Sequence, residues 1–328
     1  MKAKKILRIA GILLIILLLA IGGIIGYVVW FLPDIPVDES VKVEATPERL
    51  ARGEYLANHV MACMDCHSTR DWTKFSGPVV PGTLGRGGEV FDQRMGFPGK
   101  FYAPNITPYH LKDWTDAEIY RAMTAGVSKD GRPLFPIMGY LTLGTLDKED
   151  IYSIIAYIRT LPEISYTAPA SKPDFPFSII LHTLPTVSKH TVRPEKAVTV
   201  EYGNYLVKAS GCIDCHTPDK KGMIIPELAF SGGRSFPLPG GILSSANITP
   251  DPGTGIGTWT ADAFLARFKS ASYENYAATH VDSTSFNTLM PWTLYSGMDT
   301  TDLLAIYTYL KSVKPIEHKV VKFAPLTQ

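Results

Sequence analysis

Two short stretches, ACMDCHSTR at residues 62–70 and GCIDCHTPD at residues 211–219, decide how this chain is organised. Each contains two cysteines separated by two residues, with a histidine directly after the second cysteine. All 4 cysteines of the chain lie in these motifs, so the motifs use the whole supply of thiols. A pair of this kind can bind zinc, form a redox disulfide or carry a covalently attached haem.

The spacing and the surroundings favour haem over the other two interpretations. A structural zinc site normally joins two ligand pairs about 12–20 residues apart, but here the pairs lie in different halves of the chain. A thioredoxin-like pair follows a β-strand, whereas a helical pattern precedes these cysteines and the histidine would have no role. In haem attachment the thiols form thioethers with the vinyl groups, and the histidine becomes the proximal iron ligand.

We therefore expect two covalently bound c-type haems, because haem attachment explains every residue of both motifs. The expected attachment residues are Cys63, Cys66 and His67 for the first haem, and Cys212, Cys215 and His216 for the second.

The chain also contains two copies of one longer pattern. GEYLANHVMACMDCH (53–67) resembles GNYLVKASGCIDCH (203–216), APNITP (103–108) resembles SANITP (245–250), and FSGP, from Phe75, resembles FSGG, from Phe230. Towards the end of each copy the offset is constant, so that Met138 corresponds to Met290 and Asp150 to Asp302. Each copy has the size of an ordinary domain. The predicted organisation is an anchor at 1–32, a tether at 33–47, domains at 48–162 and 200–315, a connection at 163–199 and a tail at 316–328.

Both copies are predicted to be mostly α-helical. Thr46 followed by Pro47 and Glu48 is a typical helix start, TDAE from Thr115 fits a capping box that ends at Gly126, and Asp147 opens a further helix. The apolar face of that last helix would consist of Ile151, Ile154, Ile155, Ile158 and Leu161. The middle of each copy is rich in glycine and proline, and no alternating pattern there indicates a strand.

Methionine is the expected second axial ligand of each iron, since electron-transfer haems often use a thioether there. Met138 and Met290 occupy the same register of the repeat, in a loop just before the last helix. Met95, Met123 and Met298 lack a methionine counterpart and are expected to pack in the core. The rival ligands are histidines outside the motifs, none of which recurs in register: His59, His110, His182, His190, His280 and His318.

The N-terminus is expected to anchor the chain in a membrane. Ile9 to Leu32 is a run of 24 residues without a charge, preceded by Lys2, Lys4, Lys5 and Arg8. As a helix it would rise about 36 Å, enough to cross a bilayer core. The alternative is a cleaved signal peptide, whose apolar region is usually shorter. The positive charges would keep the N-terminus in the cytoplasm of a bacterium and place the haem domains on the periplasmic side of the inner membrane.

Together these motifs resemble tandem class I-type cytochrome c domains, as found in the cytochrome subunits of membrane-bound alcohol and gluconate dehydrogenases. The resemblance rests on the CxxCH motifs, PNITP and ANITP, DGRPLFPIM, LMPW and EDIYSIIAYIRTLP. It implies that the first and last helices of each domain cross, with Gly53 against Tyr157 and Gly203 against Tyr309. The chain differs from those subunits in having two CxxCH motifs where they typically carry three haems, an N-terminal anchor, and Gly139 after the methionine.

Two further residue types recur in register and are candidates for haem contacts. They are Asn105 and Trp114 in the first copy, and Asn247 and Trp259 in the second. They could donate hydrogen bonds to haem propionates or fix the loop under the haem. The alternatives are turn formation for the asparagines and packing for the tryptophans.

The function indicated by these features is single-electron transfer by a membrane-anchored dihaem protein without a substrate site of its own. Its partners would be a dehydrogenase or quinol-oxidising complex as donor, and an oxidase or soluble cytochrome as acceptor. The alternatives are a dihaem cytochrome c peroxidase and an electron-input subunit of a terminal oxidase. The net charge is +1 at pH 7, without the basic patch that a nucleic-acid partner would require.

Overall fold

The structure of the chain is a computed structural model that describes residues 2–220 and 222–325. Met1, Lys221 and residues 326–328 lie outside the described residues, so the first residue of the predicted anchor and the end of the predicted tail are not covered. The described part is helix-rich, which confirms the mostly α class. After one long N-terminal helix, similar helices follow one another in the two copies of the repeat.

The helices of each copy begin and end as follows. The first copy is preceded by α1 (Lys2–Phe31) and contains α2 (Pro47–Tyr55), a π-turn (Leu56–Val60), α3 (Cys63–Cys66), α4 (Pro108–Leu111), α5 (Asp116–Ala125), α6 (Tyr140–Leu143) and α7 (Lys148–Ile158). The connection contains α8 (Phe177–Ile180). The second copy contains α9 (Val200–Ala209), α10 (Cys212–Cys215), α11 (Ala261–Lys269), α12 (Tyr273–Ala277), α13 (Trp292–Tyr295) and α14 (Thr300–Ser312). Short 3₁₀ turns lie at Gln93–Met95, Pro136–Met138, Leu181–Thr183 and Pro226–Leu228.

Short strands, which the sequence pattern did not indicate, add a small antiparallel sheet to each copy. The strands are β1 (Val90–Phe91), β2 (Gly99–Tyr102), β3 (Lys172–Pro173), β4 (Asp219–Lys220), β5 (Met223–Ile224), β6 (Ser235–Leu238), β7 (Gly241–Ser244) and β8 (Phe323–Pro325). Their order is β1-β2-β3 in one sheet and β6-β7-β8 in another, with β4 and β5 forming a separate pair. In both three-stranded sheets the third strand comes from the segment that follows the last helix of that copy.

The first and last helices of each copy cross at a glycine, as predicted. A Cβ built on Gly53 in α2 would lie 1.9 Å from a backbone carbonyl oxygen of α7 and 2.8 Å from Cβ of Tyr157. A Cβ on Gly203 in α9 would lie 2.0 Å from a carbonyl oxygen of α14 and 2.8 Å from Cβ of Tyr309. Only glycine lets the two backbones approach this closely.

The predicted helix ends are confirmed. Thr46 caps α2 by accepting a hydrogen bond from the backbone N–H of Arg49, and Thr115 and Glu118 form the complete capping box of α5, which ends at Gly126 with φ 76°. Asp147 caps α7. The apolar face predicted for that helix is buried, and its members are Ile151, Ile154, Ile155, Ile158 and Leu161.

The N-terminal helix is the one segment of the described residues that is long and apolar enough to cross a membrane, from Ala3 to Phe31. Its apolar side chains are exposed along most of its length, so the helix packs against little of the rest of the chain. A membrane anchor and a signal sequence both have these properties. After it, residues 32–46 lead to α2 without regular secondary structure, apart from a turn at residues 39–40.

Candidate haem-binding sites

Each CxxCH motif forms one turn of helix, α3 in the first copy and α10 in the second. The residue before each turn adopts the left-handed conformation, with φ 48° at Ala62 and φ 63° at Gly211. In both motifs the backbone N–H of the histidine donates to the carbonyl oxygen of the first cysteine. Because helical residues three apart lie on the same face, each motif presents its two thiols together, and the histidine follows them.

The histidine of each motif is held by a backbone carbonyl group from a distant loop. Nδ1 of His67 donates to the carbonyl oxygen of Pro104 at 2.8 Å, and Nδ1 of His216 donates to that of Ala246 at 2.7 Å. This bond places the proton on Nδ1 and leaves Nε2 with a free lone pair, as a metal-ligating histidine requires. Burial lowers the pKa of both imidazoles, which keeps them neutral.

The side chain of Asn105 fixes the loop that carries the carbonyl group of Pro104. Its Oδ1 accepts hydrogen bonds from the backbone N–H and the hydroxyl group of Thr107 at 2.9 and 2.7 Å. Its Nδ2 donates to the carbonyl oxygens of Ile164 and Tyr166 at 2.8 and 2.9 Å. Both amide hydrogens are therefore directed to the protein, which favours the loop-fixing role over a hydrogen bond to a haem propionate.

Asn247 does the same in the second copy. Its Oδ1 accepts from the backbone N–H and the hydroxyl group of Thr249 at 2.9 and 2.8 Å, and its Nδ2 donates to the hydroxyl group of Thr254 at 3.0 Å and to the carbonyl oxygen of Ile316 at 2.8 Å. The repeated sequence NITP thus positions the carbonyl group that accepts from each motif histidine, which is a specific form of the loop-fixing role.

The two predicted tryptophans lie at the start of the helix after the NITP loop. Trp114 is half-buried against the core, and its carbonyl oxygen accepts a hydrogen bond of 2.6 Å from Arg159. Trp259 is 36% exposed, and its carbonyl oxygen accepts a hydrogen bond of 2.8 Å from Tyr307. These contacts tie the tryptophans to the last helix of each copy through the backbone. The half-buried side chain of Trp114 fits the packing alternative, whereas that of Trp259 is exposed.

The predicted equivalence of FSGP and FSGG is wrong. In the structure the residue equivalent to Gly232 is Gly87. The backbone N–H of Gly232 donates to the carbonyl oxygen of His216 at 2.8 Å, and that of Gly87 donates to the carbonyl oxygen of His67 at 2.9 Å. A Cβ on either glycine would lie within 2.6 Å of the loop that holds the motif histidine. FSGP, from Phe75, belongs to an additional segment of the first copy.

This additional segment holds the methionine loop of the other copy. The hydroxyl group of Ser76 donates to the carbonyl oxygen of Met290 at 2.6 Å, and its backbone N–H donates to Oδ1 of Asn287 at 2.9 Å. Nδ2 of Asn287 in turn donates to the carbonyl oxygen of Lys74 at 3.1 Å. The ring of Phe75 packs edge-on against Tyr276, 5.0 Å between centroids. Residues 74–76 therefore clamp the turn that carries Met290.

The methionine of the first copy is held differently. Met138 ends the 3₁₀ turn Pro136–Met138, and the following Gly139 has φ 72°. The preceding Phe135 stacks on Phe101 with 4.0 Å between ring centroids. Aromatic packing therefore positions this turn, where the second copy uses hydrogen bonds across the interface. Both predicted methionines are half-buried against the core. Met123 and Met298 lie inside it as expected, whereas Met95 is half-buried outside it and the prediction for that residue is wrong.

The two CxxCH motifs approach each other where the copies meet. Tyr295 of α13 donates a hydrogen bond of 2.7 Å to the carbonyl oxygen of Ser210, just before the second motif. Burial, followed by the nearby thiols of Cys212 and Cys215 and the carboxylate of Asp65, raises the pKa of Tyr295 well above its usual value. Asp65 belongs to the first motif, so a single buried side chain lies close to both attachment sites.

Other histidines are engaged elsewhere and take no part in these sites. Nδ1 of His59 bonds to the carbonyl oxygen of Leu294 at 2.8 Å and so links the copies. Other bonds to carbonyl oxygens are made by His182, His190 and His318. His110 and His280 are exposed.

The donor set of each site fits a c-type haem. It comprises two free thiols on one helical turn, a neutral imidazole with Nε2 available, and a half-buried thioether on a separate turn. Attachment of the haem would convert the cysteine thiols to thioethers. The imidazole of the histidine and the sulfur of the methionine together form a ligand pair that raises the potential of haem iron.

The sequence is similar to several named cytochromes. It is 28% identical over 290 residues to the cytochrome c subunit of alcohol dehydrogenase (quinone) of Gluconacetobacter polyoxogenes, covering 83% of this chain and 58% of that one. It is 27% identical over 291 residues to the gluconate 2-dehydrogenase cytochrome c subunit of Pantoea cypripedii, covering 82% and 60%. It is 28% identical over 315 residues to a diheme cytochrome c-type protein of Cereibacter sphaeroides, covering 92% and 97%.

These similarities confirm the resemblance to cytochrome c subunits that the motifs predicted. The chain spans little more than half the length of the dehydrogenase subunits it matches, 58% and 60%, but nearly the full length of the diheme protein, 97%. No family model matches the sequence.

Proposed function

We propose that this chain is a membrane-anchored dihaem c-type cytochrome that transfers single electrons. The observation that carries the proposal is the duplicated donor set, in which His67 and His216 each have Nδ1 bonded to a carbonyl oxygen and Nε2 free. Met138 and Met290 would complete the two iron coordination spheres. The haem supplies a one-electron iron couple, and the protein positions its ligands and excludes water from them.

Electron transfer is favoured over catalysis because both sites have a thioether available in the same register of the repeat. A peroxidase needs an iron with an open or displaceable position, and the clamp of Ser76 on the Met290 turn opposes displacement in the second copy. The proximity of both motifs to Tyr295 supports transfer between the two sites within one chain.

The proposed setting is the periplasmic side of a bacterial inner membrane, with α1 as a single-pass anchor. The proposed donor is a dehydrogenase, as the names of the similar cytochrome subunits suggest, or a quinol-oxidising complex. The acceptor would be an oxidase or a soluble cytochrome. The diheme relative, which this chain covers almost end to end, supports two haems as the full complement.

Redox titration of the purified full-length protein, followed by optical spectroscopy, tests the proposal. We expect an alkaline pyridine haemochrome spectrum with two c-type haems per chain, and a ferric absorption band typical of methionine–iron coordination. The variant Cys63→Ala/Cys66→Ala should retain one covalent haem. Rapid binding of carbon monoxide to both reduced irons, or peroxide-driven turnover, would favour the peroxidase instead, and a colourless product would refute haem binding altogether.

A further inference from the structure

The segment after β3 lies against the end of the N-terminal helix. Nδ1 of His182 donates a hydrogen bond of 2.7 Å to the carbonyl oxygen of Leu32, the residue that follows α1. Both α8 and the 3₁₀ turn Leu181–Thr183 contact α1. The connection therefore meets the end of the helix at the level where a membrane-spanning segment would leave the bilayer.

This segment exposes large apolar side chains beside those of the helix. Phe175 is 81% exposed and Ile180 is 47% exposed, and at the end of α1 Trp30 is 81% and Phe31 65% exposed. Scattered apolar residues are common on protein surfaces, but an apolar patch that continues from a membrane-spanning helix is typical of a membrane contact. The apolar stretch FPFSIILHTL begins at Phe175, and the structure leaves Phe175 and Ile180 uncovered.

The chain before residues 175–183 is fixed to the first haem site. In each copy the chain after the last helix forms the third strand of the sheet, β3 in the first copy and β8 in the second. Asn247 is tied to its trailing segment as Asn105 is to the connection. Residues 175–183 follow β3 and therefore continue a segment that is fixed to the loop of the first motif histidine.

We propose that residues 175–183 lie in the headgroup region of the bilayer crossed by α1, and hold the first haem site next to the membrane. The proposal rests on α1 being an uncleaved anchor, as stated under Proposed function. The link to the haem site is direct, because Phe177 of α8 packs edge-on against Phe135, 5.7 Å between ring centroids. Phe135 immediately precedes the Pro136–Met138 turn.

Docking of residues 175–183 would decide which of the two haem sites lies nearer the membrane. If residues 175–183 rest on the bilayer, the Met138 turn is anchored to the membrane surface through Phe135 and Phe177. A membrane-bound donor then meets the first site, and a water-soluble acceptor reaches the second. Residues 175–183 would therefore give the chain a fixed orientation and a direction of electron flow.

Spin labels can locate the segment, because thioether formation leaves no free thiol in the holoprotein. Phe175→Cys and Ile180→Cys introduce single labelling sites on exposed side chains, and Val321→Cys, 70% exposed in the second copy, is the matched control. Each full-length holoprotein is reconstituted in vesicles of phosphatidylethanolamine and phosphatidylglycerol. Accessibility of the nitroxide to molecular oxygen and to a water-soluble nickel chelate is then measured, since oxygen concentrates in the lipid and the chelate in water.

We expect the ratio of oxygen to nickel accessibility to be several-fold higher at positions 175 and 180 than at position 321. Equal, water-like ratios at all three positions in vesicle-bound protein would overturn the docking of residues 175–183 while leaving the anchor intact. Loss of the protein from the vesicles in an alkaline carbonate wash would instead refute the anchor, and with it the docking. The two failures are thus distinguishable in the same samples.

Discussion

Tyr55 of the first copy donates a hydrogen bond of 2.7 Å to Asp302 of the second copy, and the second copy donates an equivalent hydrogen bond to the first. Tyr205, the equivalent residue of the second copy, donates 2.6 Å to Asp150 of the first. Both carboxylates are fully buried. The two copies therefore face each other with an approximate twofold relationship, and each supplies a donor that the buried charge of the other requires.

Loss of either tyrosine hydroxyl should destabilise the fold. In Tyr55→Phe the carboxylate of Asp302 keeps the hydrogen bond from Tyr202 at 3.1 Å and the ion pair with Lys196 at 3.5 Å, but loses its shortest donor. A buried acceptor that loses a partner costs about 1–3 kcal/mol. Chemical denaturation of the full-length protein in detergent micelles would measure the free energy of unfolding.

Tyr205→Phe should have a smaller effect, because Asp150 also accepts a bidentate hydrogen bond from Arg52 at 3.0 Å and an ion pair from Arg193. The exposed Tyr109→Phe is the control and should leave stability unchanged. Equal stability of Tyr55→Phe and Tyr109→Phe would contradict the role assigned to the exchange.

Gly53→Ala should be much more destabilising than its size suggests. The added Cβ would lie 1.9 Å from a backbone oxygen of α7, so α2 and α7 must separate. Overpacking of this kind costs about 1–3 kcal/mol or more. Loss of thermal stability and of haem incorporation at the first site would be measured, with Ala51→Gly on the same helix as control. A stable, fully haem-loaded Gly53→Ala protein would show that the helices do not cross there.

Local patterns predicted the helix caps, because each cap depends on a few neighbouring residues. The resemblance to cytochrome c domains implied the crossing glycines, and comparison of the two copies gave the shared register of Met138 and Met290. The strands were missed since they are only 2–4 residues long, too short for an alternating pattern. FSGP was paired with FSGG on letters alone, although Gly87 occupies the equivalent position. The contact of Ser76 with Met290 joins the two copies, and no feature of either segment indicates its partner.

Ser76 should determine how firmly Met290 is held, because its hydroxyl group donates to the carbonyl oxygen of that residue. In Ser76→Ala and Asn287→Ala we expect a weaker methionine–iron absorption band at the second haem only, and faster binding of carbon monoxide after reduction. Removal of one hydrogen bond of this kind costs about 0.5–1.5 kcal/mol, or about a 2- to 12-fold increase in the fraction with a displaced methionine.

The control for this experiment is Ser40→Ala, whose hydroxyl group bonds only to the neighbouring Asp38. Ser76→Gly separates the loss of the hydroxyl group from backbone strain, since residue 76 has φ 65° and glycine adopts it freely. The clamp is refuted if Ser76→Ala and Ser76→Gly both retain a methionine band equal to that of the Ser40→Ala protein.

His190 should make stability depend on pH in the acid range. Its Nδ1 donates to the carbonyl oxygen of Leu146, and its Nε2 accepts from the hydroxyl group of Tyr120. Burial lowers the pKa of His190 in the folded protein, below the unfolded value of about 6.5. The folded state then binds fewer protons, so this contribution is complete above about pH 6.5 and is lost as the pH falls.

The test compares the free energy of unfolding of the wild type and of His190→Gln across that range. The difference should be largest near pH 7 and should shrink towards pH 5. His280→Gln, at an exposed position, is the control and should show a flat difference. A difference for His190→Gln that stays constant, or grows as the pH falls, would contradict the neutral imidazole.

Met138→His should lower the potential of the first haem and leave the second nearly unchanged. Methionine raises the potential of haem iron relative to histidine, because its soft sulfur favours the reduced state. Met290 is held by Ser76 and not by the Pro136–Met138 turn, so the two sites should respond separately. Redox titration resolves the two potentials, and Met123→Leu, at a buried core position, is the control. If the first potential is unchanged in Met138→His but shifts in Met123→Leu, the ligand has been assigned to the wrong methionine.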